Sequence, residues 1–168
     1  MAAEPKPRSY EKLELRRLHL RDLGGIEAIE RRSYPTPWSR SMFAGELAKP
    51  SSICLGAFEA EGEDGALVGY LIVSRYVDAW HVMNVAVDPD YQGRGIATTL
   101  LERLFELTRD DERCGYTLEV RVSNDGAIRL YERLGFRSSG IRRGYYTDNR
   151  EDALIMWKDP AVRDEVAR

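Results

Sequence analysis

The chain of 168 residues is 43% hydrophobic and 32% charged, which is typical of a globular protein and allows one domain with a hydrophobic core. Its net charge of −3 argues against a general nucleic-acid binder, because phosphate affinity needs clustered Lys and Arg, although one anionic ligand held by local geometry stays open. No apolar run approaches the roughly 20 residues of a membrane span, the N-terminus lacks a signal-peptide core, and Cys54 and Cys114 have no metal-binding spacing, so we expect a cytoplasmic protein with free thiols.

The first half of the sequence predicts strands and two short helices. Residues 1–9 are expected to form a flexible tail, and the alternation in "KLELRRLHL" then predicts a strand. A helix follows at "DLGGIEAIERRSY", with Asp22 as its candidate N-cap, and a second helix begins after Ser39, which is its candidate cap. The stretches "SICLGAFEA" and "ALVGYLIVSRYV" predict a hairpin that is closed by the polar turn "EGEDG".

The second half alternates strands and helices. "HVMNVAV" predicts a strand, and "DPDYQGRG" forms the turn before a helix whose apolar face is Ile96, Leu100, Leu101, Leu104 and Leu107. "YTLEVRV" predicts a strand with Leu118, Val120 and Val122 on one side. The next helix starts near Ser123 or Asn124, and Gly135 is expected at its left-handed C-cap before two closing strands. These elements predict a mixed α/β sheet in one domain, residues 10–159, followed by a C-terminal tail, residues 160–168.

The turn "YQGRGIAT" places two glycines where a helix begins. The first N–H groups of a helix have no internal partner and carry partial positive charge, and glycines let a phosphate approach them closely. A nucleotide P-loop would need GxxxxGK followed by Ser or Thr, which is absent, and a dinucleotide fingerprint would need a third glycine at Thr98. The segment Gln92–Ala97 fits the pattern Q/R-x-x-G-x-G/A, whereas a plain tight turn is the alternative explanation.

Four longer segments extend this pattern: "ERRSYPTPWS", "NVAVDPDYQGRGIATTLL", "LEVRVSNDGAIRLYERLGF" and "IRRGYYTDNREDALIM". Over residues 10–158 the chain resembles the GNAT acetyltransferases, specifically the bacterial ribosomal-protein alanine N-acetyltransferases of the RimI type, and is similar to archaeal and eukaryotic protein N-terminal acetyltransferases. The resemblance implies a central twisted mixed sheet of about seven strands flanked by about four helices. It also implies acetyl transfer from acetyl-CoA, without a metal, to the α-amine of a protein or peptide, such as the N-terminal alanine of a ribosomal protein.

The resemblance assigns a set of residues to acetyl-CoA. The glycine turn would bind the pyrophosphate, and the strand before it would splay from its neighbour and bond the pantetheine through its backbone. Asn124 would contact the pantetheine arm, although a helix N-cap is the alternative explanation of this residue. The expected cofactor-binding residues are Val85, Ala86, Val87, Gln92, Gly93, Arg94, Gly95, Ile96, Ala97, Thr98, Asn124 and Tyr131.

Glu119 and Tyr131 are the candidate catalytic residues. Glu119 faces away from Leu118 and shares its side of the strand with Arg121, so the pattern alone favours a solvated carboxylate paired with that arginine. The pattern likewise favours a half-buried core position for Tyr131. The resemblance instead implies that Glu119 accepts the proton of the amine and that Tyr131 protonates the departing sulfur.

The acceptor is expected to meet aromatic loops. Tyr34, Trp38, Tyr145 and Tyr146 could close over an extended peptide, with a hydrophobic staple as the alternative for Trp38. His81 opens a strand near the presumed amine and is a candidate substrate-binding residue that could assist proton removal, with an ordinary strand-end histidine as the simpler interpretation. A lysine or small amine as acceptor, and a non-catalytic acyl-CoA-binding module, are the competing functions. We expect a monomer or weak dimer that binds neither nucleic acid nor membrane.

Overall fold

The computed structural model describes residues 13–59 and 65–161. The predicted N-terminal tail, residues 1–9, lies outside this range, as do most of the polar turn "EGEDG" and all but the first two residues of the predicted C-terminal tail. The boundaries of the domain, residues 10–159, therefore remain a prediction.

Within the described residues, seven strands form one mixed sheet. The strands are β1 (Leu13–Arg17), β2 (Ser52–Glu59), β3 (Leu67–Arg75), β4 (Ala79–Val87), β5 (Gly115–Arg121), β6 (Arg137–Arg142) and β7 (Ala153–Lys158). Their order is β1-β2-β3-β4-β5-β7-β6, and every pair is antiparallel except β4 with β5. The predicted mixed sheet is confirmed.

Four helices cover the two faces of this sheet: α1 (Leu23–Ser33), α2 (Arg40–Ala48), α3 (Ile96–Thr108) and α4 (Asp125–Arg133). Alternate residues of β3 point to opposite faces, so Tyr70 and Ile72 pack with α1 and α2, whereas Leu71 and Val73 pack with α3 and α4. Two hydrophobic cores result, one on each side of the sheet.

The parallel pair at the centre of the sheet is short. Strands β4 and β5 pair only from Ala79–Gly115 to His81–Thr117. Beyond His81, β4 carries a bulge at Met83, because Val82 and Asn84 oppose the consecutive residues Val73 and Ile72. The remainder of β4 and β5 diverges, and this is the splay that the family resemblance implied.

Several helix ends lie where the local sequence predicted them. The Ser39 hydroxyl accepts a hydrogen bond from the Met42 N–H at 3.3 Å, and the Asn124 side chain accepts one from the Ala127 N–H at 3.2 Å. Gly135 follows α4 with φ +96, as expected for a left-handed cap.

Asp22 differs from its prediction. It precedes α1, but its carboxylate makes no cap hydrogen bond to that helix. Instead it accepts hydrogen bonds from the Arg16 guanidinium and the His19 N–H, because a short 3₁₀ turn (Leu20–Asp22) precedes α1. The same turn ends the first strand at Arg17 and leaves Leu20 exposed.

Two apolar positions were also assigned to the wrong side. Leu107 is 45% exposed, since the last turn of α3 buries Thr108, whose hydroxyl lies against that of Tyr116. Val122 is 41% exposed because β5 ends at Arg121, so the alternation does not reach it.

Candidate active site

The divergence of β4 and β5 opens a cleft of about 1000 Å³. Its walls comprise the glycine turn, the start of α3, one side of α4, and parts of the loops at residues 34–38 and 144–150. Most of the residues that the sequence analysis assigned to a site line it: Tyr34, Trp38, Val85, Ala86, Val87, Gln92, Gly93, Gly95, Ile96, Ala97, Thr98, Glu119, Asn124, Tyr131, Tyr145 and Tyr146.

Arg94 does not line the cleft. Its guanidinium lies over the Tyr91 ring, 4.7 Å from the centroid, and donates to the Asp90 carbonyl at 3.3 Å. These contacts hold the guanidinium against residues 90 and 91 of the preceding turn.

The glycine turn leaves its backbone accessible from the cleft, because two of its residues have no side chain. Gly93 and Gly95 have φ of +75 and +77, a region that side chains with a Cβ rarely adopt. Gly95 is the N-cap of α3, so the unpaired N–H groups of the first helical turn face the cleft end. Asp88 steadies the turn by accepting from the Asp90 N–H and from Arg32 of α1, both at 2.9 Å. This geometry suits an anion such as a pyrophosphate.

Glu119 lies at the point where β4 and β5 separate. Its side chain is 9% exposed, and because an ionised carboxylate only accepts, His81 Nε2 donates to Oε2 across 2.6 Å. Arg142 Nε lies 3.5 Å from the other oxygen. Burial raises the pKa of Glu119, but the hydrogen bond from His81 and the nearby positive charges outweigh it and hold that pKa below its usual value. Glu119 is therefore ionised at neutral pH.

The predicted pairing of Glu119 with Arg121 is wrong. Both residues lie on the same side of β5, but the Arg121 guanidinium is bound by Asp148 and Glu151 of the following hairpin. His81 is also not a strand-end residue, because β4 begins at Ala79. Its register partner on β5 is Thr117, two residues before Glu119, and this places the imidazole next to the carboxylate.

Tyr131 projects from α4 into the cleft. Its ring is 6% exposed and meets Phe136 edge to face, with centroids 5.8 Å apart. No hydrogen-bond partner of its hydroxyl is found among the described residues. Burial raises the pKa of Tyr131 above 10, so the phenol stays protonated at neutral pH. The side chain is thus both a core residue and a protonated phenol that lines the cleft.

One wall of the cleft is the loop at residues 34–38. The Tyr34 hydroxyl donates to the Val85 carbonyl, and the Trp38 ring packs on Phe43 with centroids 5.2 Å apart, as a hydrophobic staple would. The Trp38 N–H donates to Glu30 at 3.1 Å. Trp38 therefore fits both the staple and the predicted cleft position.

Glu30 and Asn84 also line the cleft but were not predicted from the sequence. Glu30 is 1% exposed, and its carboxylate accepts hydrogen bonds from Tyr70, from Asn84 at 3.0 Å and from the Trp38 backbone. The sequence shows only that Glu30 follows the apolar Ile29 in a helix. The hydrogen-bond partners that allow the Glu30 carboxylate to be buried come from distant segments of the chain.

The opposite wall is the tyrosine loop, defined as residues 144–150. Tyr145 and Tyr146 pack edge to face with centroids 5.2 Å apart. Tyr145 is 44% exposed, whereas Tyr146 is half-buried. Both residues lie in the loop between β6 and β7 and not in an extended strand.

Over residues 13–59 and 65–161, no three His, Cys, Asp or Glu side chains are grouped so that they could hold a metal ion. None of the helices in that part of the chain is long and apolar enough to cross a bilayer.

Comparison with known proteins supports the resemblance seen in the motifs. The model of the acetyltransferase (GNAT) family matches residues 23–136. The [ribosomal protein bS18]-alanine N-acetyltransferase of Escherichia coli is 39% identical over 141 residues, 83% of this chain and 92% of that protein. The N-alpha-acetyltransferase RimI of Mycobacterium tuberculosis is 39% identical over 127 residues, 73% of this chain and 76% of its own length.

The fold agrees as well. A crystal structure of the ribosomal-protein-S18-alanine N-acetyltransferase from Escherichia coli superposes with a TM-score of 0.80 at 35% identity, and the match covers 93% of this chain and 99% of that one. The family match, the two relatives and the shared fold lead to one conclusion: the chain belongs to the GNAT acetyltransferase family.

Proposed function

We propose that this protein transfers the acetyl group of acetyl-CoA to the α-amine at the N-terminus of a protein. The observation that carries the proposal is the cleft between β4 and β5, which joins the glycine turn, the ionised Glu119 and the protonated Tyr131. Because relatives are named for acetylation of the alanine of ribosomal protein bS18, we infer that the acceptor is a ribosomal-protein N-terminus that begins with alanine. Such an acceptor places the enzyme in the cytoplasm, and we propose that it acts as a monomer or weak dimer.

In this proposal, acetyl-CoA lies along the splayed end of β4. The N–H groups at the start of α3 bind the pyrophosphate, and the backbone of Val85–Val87 binds the pantetheine arm as an added strand would. Asn124 caps α4 and also lines the cleft, so its cap role and a contact to the arm are compatible. The thioester is thereby directed to the part of the cleft that Glu119 and Tyr131 line.

The reaction is a direct attack. The amine nitrogen forms a bond to the thioester carbonyl carbon, and the carbon–sulfur bond breaks. The amine proton passes to the Glu119–His81 pair, and Tyr131 gives its proton to the departing CoA sulfur. An α-amine has a pKa near 8 and a lysine amine one near 10.4, so removal of the α-amine proton at neutral pH is easier by about 3 kcal/mol.

The glycine turn gives a first prediction, which concerns the donor. Replacing Gly95 by valine should weaken acetyl-CoA binding at least about tenfold, because a branched side chain is strained at φ +77 and occupies the approach of the phosphates. Isothermal titration calorimetry on a folded variant measures the loss. The matched control is Gly45→Val on α2, where an added side chain meets open space. Equal affinity in both variants would place the anion elsewhere.

The proposed acceptor is tested with a matched pair of peptides. One has a free N-terminal alanine and no lysine, and the other has a blocked α-amine and one free lysine. We expect the first to be acetylated much faster at pH 7, because its amine loses a proton more readily. Mass spectrometry locates the acetyl group. Faster modification of the blocked lysine peptide would overturn the N-terminal assignment and favour a lysine or small-amine acceptor.

A further inference from the structure

Arg121 connects the strand of the proposed base to the tyrosine loop. Its guanidinium donates to both carboxylate oxygens of Asp148, at 2.9 and 3.0 Å, and to Asn149 at 3.1 Å. It donates to Glu151 at 3.3 Å and lies over the Tyr146 ring, 4.0 Å from the centroid. One side chain of β5 therefore contacts the loop at residues 146, 148 and 149, and also contacts Glu151 directly after the loop.

The loop is also held at its ends. The Gly144 N–H donates to Asp152 at 2.8 Å, and the Arg150 N–H donates to the Tyr146 carbonyl at 2.8 Å. Glu151 accepts from the Ser123 N–H at 2.9 Å, just after β5. Arg121 holds the side chains in the middle of the loop, because its guanidinium binds the Asp148 carboxylate and also lies over the Tyr146 ring.

We propose that Arg121 is a positioning residue that locks the tyrosine loop as a preformed wall of the acceptor groove. The inference rests on the proposed function, since it assumes that the peptide binds between this wall and the loop at residues 34–38. Arg121 covers one face of the Tyr146 ring, and Tyr146 lines the cleft beside Tyr131. Loss of the arginine removes the guanidinium contacts of the Tyr146 ring and of the Asp148 carboxylate, and the peptide then has to order these side chains when it binds.

Arg121 lines the cleft but makes no contact with the carboxylate of the proposed base. Glu119 receives its contacts from His81 and Arg142, neither of which touches Arg121. Val85–Val87 belong to β4, the other strand of the splay, and the glycine turn lies between that strand and α3. Removal of Arg121 should consequently affect the KM for the peptide and leave the affinity for acetyl-CoA and the proton-transfer groups in place.

The contacts between Arg121 and the tyrosine loop are expected to persist across the pH range of an assay. The groups that face the Arg121 guanidinium are Asp148, Glu151, Asn149 and Tyr146. Hydrogen bonds from Ser123, and then the one from Arg121, lower the pKa of Glu151 to about 2. A carboxylate with a depressed pKa keeps its stabilising contact above its unfolded pKa and loses it only as the pH falls through the folded value. The effect of removing Arg121 should therefore be equal at pH 6 and pH 9.

The test compares Arg121→Gln with Arg129→Gln, an exposed arginine on α4 that does not line the cleft. For Arg121→Gln we expect the KM for an N-terminal alanine peptide to rise about tenfold or more, since misplaced binding groups are costly, whereas calorimetry should show acetyl-CoA affinity within about twofold of wild type. Arg129→Gln should leave both quantities at wild-type values. An unchanged peptide KM in Arg121→Gln would overturn the proposal, as would an equal loss of acetyl-CoA affinity.

A second variant keeps the proposal testable if Arg121→Gln folds poorly. Asp148→Asn removes the carboxylate partner, should raise the peptide KM in the same direction, and should add little further in the double variant because both changes break one contact. Fully additive effects would show that Arg121 does not act through the loop. Hydrogen exchange of the tyrosine-loop amides should be faster in Arg121→Gln than in wild type. This measurement tests the contact between Arg121 and the loop without any substrate. It therefore distinguishes failure of this inference from failure of the proposed acetyl transfer.

Discussion

Replacing Tyr131 by phenylalanine should lower turnover on the order of 100-fold and leave acetyl-CoA affinity close to that of wild type. The substitution removes only the hydroxyl, which is the proposed source of the proton for the CoA sulfur. Burial raises the pKa of this phenol above 10, so wild type enters the reaction with the proton in place, whereas the variant must release a free thiolate with a pKa near 8.5. Steady-state kinetics at saturating acetyl-CoA measures the fall.

The fold of this variant should survive. The Tyr131 hydroxyl makes no hydrogen bond to another described residue, and the ring keeps its edge-to-face contact with Phe136. Tyr116→Phe is the matched control, since this buried tyrosine lies outside the cleft lining and its hydroxyl is hydrogen-bonded to Thr108. The control should lose about 1 kcal/mol of stability and keep its turnover. Wild-type turnover in Tyr131→Phe would leave Tyr131 a purely structural core residue.

Much of the fold and of the donor side of the site could be predicted from the sequence because the signals are local. Two glycines at a helix start permit the left-handed backbone that Gly93 and Gly95 adopt, because they have no Cβ. Ser39 and Asn124 cap their helices through bonds that span three residues. Such features do not depend on how distant segments pack.

The acceptor side could not be predicted in the same way because it depends on register between distant segments. The sequence places Arg121 beside Glu119, but the hairpin after β6 supplies carboxylates that bind the arginine first. His81 reaches Glu119 only because β4 and β5 pair in parallel up to Thr117 and then separate. Nothing in the spacing of residues 81 and 119 reports that pairing.

Glu119→Gln should bind both substrates and lose most of its turnover at pH 7, by about 100-fold or more if Glu119 accepts the amine proton. Glutamine has nearly the same shape, so it can still lie between His81 and Arg142. It cannot take up a proton at neutral pH, whereas the wild-type carboxylate is ionised there because its pKa is held below the usual value. Glu132→Gln makes the same change of charge at an exposed position of α4 outside the cleft and should keep wild-type turnover.

The pH dependence decides what kind of proton transfer has been lost. A depressed pKa means that Glu119 is already deprotonated well below pH 7, so a rise in pH from 7 to 9 adds no further active carboxylate in wild type. The α-amine of the peptide does titrate in this range, with a pKa near 8, and above it arrives without the extra proton. The ratio of wild-type to Glu119→Gln turnover should therefore be largest near pH 7 and shrink as the pH passes about 8.

Equal rates for the two proteins at pH 7 would remove Glu119 as the base. A large ratio that stays constant up to pH 9 would instead mean that Glu119 acts by orienting His81 or the amine, because a base that removes the first proton becomes dispensable once the solvent has removed it.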